Sequence, residues 1–168
     1  MNYSLNKALF LDRDGVINID YGHVHSVENF DFIEGIFDLC RIAQQKGYLI
    51  IVITNQAGIG KGLYSENDFL ELNQWMIKQF MINGIIVSKT YYCPHKPEEN
   101  CSCRKPNPGM LLKAIEEFKI NPFDSILIGD KKSDIEAGQN ANIGNCILFK
   151  NSDFKQIISN FQNMERKS

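Results

Sequence analysis

FLDRDGVIN, residues 10–18, carries the strongest structural signal of this chain, because it joins a short apolar run to two acidic residues. Residues 8–11 are apolar and end in charge, which is typical of a strand buried on both faces of a parallel sheet. Asp12 and Asp14 follow this run, and Gly15 allows a sharp turn. Ligands of open α/β sheets bind beyond the carboxyl ends of strands, so the segment predicts two reactive carboxylates. The alternative is a polar turn in which Asp makes local hydrogen bonds.

The composition is that of an ordinary globular protein. The chain has 168 residues, with 43% hydrophobic and 23% charged residues, and we expect a single domain over residues 1–168. A net charge of −2 gives no basic field for nucleic acid. The N-terminal apolar run is too short for a signal peptide or a membrane span, so we expect a cytoplasmic protein without membrane or nucleic-acid partners. No long apolar surface demands a dimer, and we expect a monomer.

Predicted strands and helices alternate along the chain. After the first strand, residues 18–34 lack a period and predict a long functional loop. Further strands are predicted over residues 49–53, 85–92, 125–128 and 146–149, and helices over residues 35–46, 65–84, 108–118 and 133–142. AGIGKG, residues 57–62, predicts a Gly-rich loop, and residues 150–168 predict one helix before a frayed end. The alternation predicts an α/β fold: a Rossmann-like parallel sheet with helices on both faces. Too little sequence is inserted after the second strand for a separate cap domain, so we expect a minimal cap.

Three of the predicted strands end in polar residues. They are Asp12 and Asp14 after the first strand, Thr54 and Asn55 after the second, and Asp130, Lys131 and Asp134 after the fourth. Acidic oxygens from separate strands suit Mg²⁺, which shares its ligands with substrate phosphates. Lys105 and Lys131 add positive charge, so a phosphate ester is the expected class of substrate. The alternative for Lys105 is a solvated surface lysine.

Three of the five cysteines are clustered in CPHKPEENCSC, residues 93–103. The pattern C-x-H-x5-C-x-C offers four metal ligands: Cys93, His95, Cys101 and Cys103. Three thiolates and one imidazole match a closed tetrahedral Zn²⁺ site, which is structural because no coordination position stays open. The zinc-stapled loop would fix Arg104 and Lys105, which follow it directly. The alternative is a chance cluster of thiols; Cys40 and Cys146 are interpreted as core residues.

The polar motifs, taken in order, resemble those of the haloacid dehalogenase superfamily of phosphatases. They are the DxD pair Asp12 and Asp14, the threonine Thr54, the lysine Lys105, and the GDxxxD acids Asp130 and Asp134. The resemblance implies catalysis through an aspartyl phosphate, with Asp12 as the nucleophile and Asp14 as general acid and then general base. It also implies Mg²⁺ held by Asp12, the Asp14 carbonyl and Asp130, and phosphoryl binding by Thr54, Asn55 and Lys105.

Within that superfamily, DRDGVIN, TNQ and the C-x-H…C-x-C-R-K-P run resemble the branch of heptose bisphosphate and histidinol phosphate phosphatases, over about residues 8–150. Residues 20–35 and 104–110 favour the D-glycero-D-manno-heptose 1,7-bisphosphate 7-phosphatases. The resemblance implies removal of the C7 phosphate in ADP- or GDP-heptose biosynthesis for surface glycans such as lipopolysaccharide. The implied substrate contacts, with Lys131 added as a phosphate-binding cation, are Asp20, Tyr21, Gly22, His23, Thr54, Asn55, Gln56, Ala57, Arg104, Lys105 and Lys131.

Several alternatives stay open at this point. One is a histidinol-phosphate phosphatase or a broader small sugar-phosphate phosphatase on the same scaffold. The sugar contacts of His23 and Ala57 also stay open, since the heptose family commonly has Tyr at the first position and often Ser at the second. Another is a zinc-ribbon-like binding module without catalysis, which the missing basic surface disfavours. A nucleotide-binding role for AGIGKG is a further alternative, although the segment lacks the G-x-x-x-x-G-K-[ST] spacing of a phosphate-binding loop. His23 and His25 are either catalytic bases or exposed loop histidines.

Overall fold

Lys7–Leu11 forms strand β1 at the centre of a five-stranded parallel sheet in the computed structural model, which describes residues 4–150 and 153–164. Leu9 pairs with Ile50 on one side and with Ile126 on the other. The sheet order is β3-β2-β1-β4-β5, where β2 is Tyr48–Asn55, β3 is Val87–Cys93, β4 is Ile126–Gly129 and β5 is Asn145–Leu148. Residues 8–11 have no exposed surface, as expected for a strand covered on both faces.

The described residues form six α-helices, of which the first five lie between strands and the sixth follows β5. They are α1 (Ile36–Gln45), α2 (Ala57–Gly60), α3 (Glu66–Ile82), α4 (Gly109–Glu117), α5 (Lys132–Asn140) and α6 (Lys155–Gln162). The predicted tail helix is present as α6, whereas the predicted frayed end, residues 165–168, lies outside the described residues. None of the described helices combines the length and apolar character needed to cross a bilayer.

Two hydrophobic cores lie on opposite faces of the sheet. Side chains alternate along a strand, so Leu9 and Leu11 enter the core beneath α1, α3 and α6. Ala8 and Phe10 enter the second core, beneath α4 and α5. This arrangement confirms the predicted α/β fold with helices on both faces. Cys40 is fully buried in the first core, whereas Cys146 is half-buried against the second.

The prediction of a Gly-rich loop at AGIGKG is wrong, because its first four residues form helix α2. Gly58 is needed there for close packing, since a Cβ atom at this position would lie 2.1 Å from Cε1 of Tyr64. Gly60 donates its N–H to the Pro94 carbonyl at 2.9 Å, which ties α2 to the segment after β3. Helix α3 then starts with a capping box of Ser65 and Asp68, whose hydrogen bonds lower the pKa of Asp68.

Candidate active site

The carboxyl ends of β1, β2 and β4 meet at one edge of the sheet and border a cleft of about 500 Å³. Eleven residues predicted from the sequence as catalytic or substrate-binding line it: Asp12, Asp14, Asp20, Gly22, His23, Asn55, Gln56, Ala57, Arg104, Lys105 and Lys131. Asp134, Lys61, Tyr64, Pro106 and Ser133 complete the lining. The sheet edge and the loop over it thus form one concave site, as expected for this class of sheet.

Lys105 lies at the buried floor of the cleft, where only 4% of it is exposed. Its Nζ atom is 2.9 Å from Asp12 Oδ1 and 2.7 Å from Asp134 Oδ1, and it donates to the Ile53 carbonyl at 2.9 Å. A solvated surface lysine therefore does not describe this residue. Burial raises the pKa of Asp12 to about 8, although the Lys105 ammonium acts in the opposite direction. Burial lowers the pKa of Lys105, but the two carboxylates outweigh it and leave that pKa above its ordinary value.

The carboxylates of Asp12, Asp130 and Asp134 lie close enough together to hold one cation, with one oxygen of each within 4.8 Å of the others. Asp134 already binds Lys105 through Oδ1 and accepts the Lys131 N–H through Oδ2 at 3.0 Å. Asp130 differs, because its Oδ1 is buried without a hydrogen-bond partner among the described residues. Burial raises its pKa. An uncompensated carboxylate oxygen beside Asp12 fits a hard cation such as Mg²⁺.

Gly15 lets the backbone of the DxD segment approach Asp130. Its φ angle is +91°, and a Cβ atom there would lie 2.2 Å from Asp130 Oδ2. Glycine adopts this left-handed conformation without strain, and it has no Cβ atom to collide with the Asp130 carboxylate. The turn predicted after β1 therefore also determines how closely the acidic groups of β1 and β4 come together.

Asp14 is held through both of its carboxylate oxygens. Oδ1 accepts from Arg13 Nη2 and from Asn18 Nδ2, each at 3.0 Å, and Oδ2 accepts from Gln56 Nε2 at 3.1 Å. Arg13 is 1% exposed and also donates to the Val24 carbonyl at 2.6 Å. Sequence reasoning missed Arg13 as a functional neighbour. Its position between the two acids of the DxD motif was the available signal.

Thr54 is fully buried beneath the cleft and is not part of its lining. Its Oγ1 accepts from Gln56 Nε2 at 2.9 Å. Asn55 uses its side-chain amide to hold the backbone of Lys105, accepting its N–H at 3.1 Å and donating to its carbonyl at 3.3 Å. The end of β2 thus connects the floor of the cleft to the segment that follows the cysteine cluster.

The loop of residues 18–34 contributes Asp20, Gly22 and His23 to the cleft. Lys131 Nζ lies 3.5 Å from Asp20 Oδ2, so the loop contacts the end of β4. Tyr21 is not brought to the cleft: it is 58% exposed, and its hydroxyl donates to Asp31 Oδ2 at 2.7 Å. His25 is exposed and stacks on Tyr64 without lining the cleft.

The cysteine cluster lies beside the cleft, from Cys93 at the end of β3 into the segment that leads to α4. Cys93 Sγ is 3.0 Å from Cys103 Sγ and 3.5 Å from Cys101 Sγ, and His95 Nδ1 is 3.3 Å from Cys103 Sγ. Three sulfurs and one imidazole nitrogen so close together have the chemistry of a tetrahedral Zn²⁺ site. Arg104 follows the cluster directly and lines the cleft.

Sequence comparison places this site in a known family. The family model for haloacid dehalogenase-like hydrolases matches residues 16–148, and the chain belongs to that family. A relative from Campylobacter jejuni, D-glycero-alpha-D-manno-heptose-1,7-bisphosphate 7-phosphatase, is 49% identical over 93% of this chain and 92% of its own. A relative from Haemophilus influenzae, D-glycero-beta-D-manno-heptose-1,7-bisphosphate 7-phosphatase, is 46% identical over 87% of this chain and 83% of its own.

Comparison of structures leads to the same class of protein. The crystal structure of D,D-heptose 1,7-bisphosphate phosphatase from B. bronchiseptica, complexed with magnesium and phosphate, superposes with a TM-score of 0.78 at 27% identity. The match covers 83% of this chain and 78% of the other. These comparisons confirm the predicted superfamily and the predicted reaction class, hydrolysis of a phosphate monoester, and they support Mg²⁺ as the cofactor. A binding module without catalysis does not fit them.

Proposed function

We propose that this protein is the Mg²⁺-dependent phosphatase that removes the C7 phosphate of D-glycero-D-manno-heptose 1,7-bisphosphate. The observation that supports a substrate with two phosphates is the placement of positive charge in the cleft. Lys105 is buried at its floor, whereas Lys61, Arg104 and Lys131 line the same cleft with more exposed side chains. One cation for the reacting phosphate and others farther out suit a substrate with two phosphates, which agrees with the names of the relatives.

In the proposed reaction Asp12 attacks phosphorus and Asp14 protonates the leaving oxygen, after which Asp14 removes a proton from the water that hydrolyses the aspartyl phosphate. Lys105 fixes the Asp12 carboxylate from one side, leaving its other oxygen for the attack. Thr54, Asn55 and Lys105 bind or position the phosphoryl oxygens. The sugar and its second phosphate would contact the loop residues Asp20, Gly22 and His23 and the cations Lys61, Arg104 and Lys131.

Asp12, the Asp14 carbonyl and Asp130 would hold Mg²⁺, which supplies positive charge against the transferring phosphoryl group. Asp130 Oδ1, which has no hydrogen-bond partner within residues 4–150 and 153–164, supports this assignment. Asp134 is a poorer ligand because both of its oxygens are taken, one by Lys105 and one by the Lys131 N–H. We assign to Asp134 the task of holding Lys105 in place.

Cys93, His95, Cys101 and Cys103 would bind one structural Zn²⁺. The support is their mutual closeness and their ligand types. The ion would hold the segment that leads to Arg104 and Lys105. We place the enzyme in the cytoplasm as a single-domain monomer in the supply of ADP- or GDP-heptose for lipopolysaccharide. The relatives are named for both anomers of the sugar, so either anomer is a candidate substrate.

The substrate is tested by measuring phosphate release with Mg²⁺ from both anomers of heptose 1,7-bisphosphate and from histidinol phosphate. We expect kcat/KM to be highest for a heptose bisphosphate, with release from C7 alone. A higher kcat/KM for histidinol phosphate would contradict the proposal.

The nucleophile is tested with Asp12→Asn, which we expect to lower kcat by at least about 10⁴-fold, since it removes the attacking carboxylate. The variant should fold, because the amide has the shape of the carboxylate. Appreciable turnover by a correctly folded Asp12→Asn protein would rule out Asp12 as the nucleophile.

A further inference from the structure

Tyr64 lines the cleft but has no part in the chemistry described so far. Its ring stacks on His25, with centroids 5.0 Å apart and planes 8° apart, and it fills the space that a Cβ atom on Gly58 would occupy. The tyrosine is 7% exposed. These contacts fix the ring and leave its hydroxyl one direction, toward Gln56.

The Tyr64 hydroxyl donates to Gln56 Oε1 at 2.5 Å. With its oxygen held, the Gln56 amide presents both of its N–H groups on the other side, one to Asp14 Oδ2 at 3.1 Å and one to Thr54 Oγ1 at 2.9 Å. Gln56 is 3% exposed, so an amide oxygen left without a donor there would be costly. Burial raises the pKa of Tyr64 to about 12, so the hydroxyl stays a donor at neutral pH.

We propose that Tyr64 is a positioning residue: through Gln56 it orients Asp14 Oδ2 for proton transfer. Asp14 Oδ1 is occupied by Arg13 and Asn18, whereas Oδ2 accepts one neutral N–H among the described residues. Oδ2 therefore keeps a lone pair that can carry the transferable proton. Thr54 Oγ1 accepts the other Gln56 N–H and donates its own hydrogen to the Asn55 carbonyl at 3.4 Å.

The inference rests on the proposed roles of Asp12 and Asp14. In the first step the Asp12 carboxylate forms a bond to phosphorus, the bond from phosphorus to the leaving oxygen breaks, and the proton on Asp14 Oδ2 passes to that oxygen, which departs as an alcohol. An aryl ester with a nitrophenolate leaving group needs no such proton, because the phenolate is stable at neutral pH. Loss of Asp14 positioning should therefore affect alkyl esters far more than aryl esters.

Tyr64→Phe removes the hydroxyl and keeps the ring that packs on His25 and Gly58. We expect kcat/KM for heptose bisphosphate to fall about tenfold or more and kcat/KM for p-nitrophenyl phosphate to change by less than about threefold, because general acid catalysis contributes about 10²–10⁴-fold only where a proton is needed. Tyr48→Phe is the matched control, because Tyr48 is also 7% exposed and its hydroxyl lies 3.7 Å from Met164 Sδ, away from the cleft. We expect it to affect neither substrate.

A double-mutant cycle with Gln56→Met distinguishes an effect of Tyr64 through Gln56 from a general disturbance of the active-site structure. If Tyr64 acts through Gln56, Tyr64→Phe should have almost no further effect on kcat/KM in the Gln56→Met background. Equal losses on both esters in the single variant, no loss on either ester, or a full additional loss in the double variant would overturn the proposal. If the wild type hydrolyses another alkyl phosphate instead of heptose bisphosphate, the substrate proposal fails, and the same comparison on that ester still tests Tyr64.

Discussion

Lys105 shows how one buried cation organises the floor of the cleft. A lysine with 4% exposure is stable only when its charge is compensated, and here Asp12 and Asp134 both lie within 3 Å of the ammonium. The ion pair of Lys105 with Asp12 also has a function in the proposed reaction, since it fixes the carboxylate that attacks phosphorus. The same contacts therefore contribute to stability and to the orientation of the nucleophile.

Replacing Lys105 tests how much its ion pairs contribute to the free energy of unfolding. Lys105→Met keeps the volume of the side chain but leaves two buried carboxylates without their partner, so we expect the free energy of unfolding to fall by about 3–5 kcal/mol. Urea unfolding of the metal-free protein measures it. The control is Lys89→Met, which breaks an exposed pair with Glu117 and should cost about 0.2–1 kcal/mol. Equal losses in the two variants would show that the buried pairs add nothing.

At the residue scale the sequence predicted the groups that follow strands and missed two of the groups that hold them, Arg13 and Tyr64. Asp12 and Asp14 could be found because the strand before them is marked by its apolar run. Tyr64 could not, because its role depends on a contact with Gln56 that only the folded chain makes. Arg13 was signalled only by its position between the two acids, and its contact with Val24 is also made only in the folded chain. Tyr21 was placed in the site on the resemblance of its loop, but the hydrogen bond to Asp31 holds it away from the cleft.

At the scale of elements, the segment between β3 and α4 has little core of its own. Residues 94–108 contain one 3₁₀ turn, Pro97–Glu99, and otherwise no helix or strand. Its order would come from the proposed Zn²⁺ ligands and from the clamp of Asn55 on the backbone of Lys105. A metal that closes such a loop contributes folding free energy directly.

Cys101→Ser tests the structural role of the proposed Zn²⁺, because it removes one of the four ligands. We expect metal analysis to show less than one Zn²⁺ per chain, with a lower Tm and a higher KM for the bisphosphate, since Arg104 and Lys105 follow the loop. Cys146→Ser, outside the cluster, should leave the zinc content unchanged. A zinc-free wild-type preparation with full activity and unchanged Tm would contradict the structural role.

The element boundaries show what a pattern can and cannot predict. β1, β2 and β4 were found within about two residues because burial on both faces leaves nearly uninterrupted apolar runs. Helix α2 was missed because glycine is a poor helix former in isolation. In the folded chain Gly58 makes room for the Tyr64 ring, and the Gly60 N–H binds the Pro94 carbonyl. Both contacts come from residues that no local pattern connects.

For the whole molecule, the parallel sheet gathers acidic groups at one edge, and stability should therefore depend on pH and Mg²⁺ together. Burial raises the pKa of Asp12 from 3.8 to about 8 and also raises that of Asp130. The folded protein then keeps protons that the unfolded chain releases, so the metal-free protein loses stability as pH rises toward about 8. Lys105 stays protonated throughout this range, since its pKa lies above its ordinary value.

Mg²⁺ competes with these protons, so the Tm gained on adding it should grow as pH rises from about 6 to about 8. With Mg²⁺ at a hundred times its Kd the gain is about 2.7 kcal/mol, or roughly 5–10 °C for a chain of this size. Thermal unfolding with and without Mg²⁺ across this range measures it. Asp130→Asn should lose most of the gain, because it weakens a ligand whose Oδ1 has no hydrogen-bond partner in the described part of the chain. A gain that is constant with pH would mean that Mg²⁺ displaces no proton from Asp12 or Asp130.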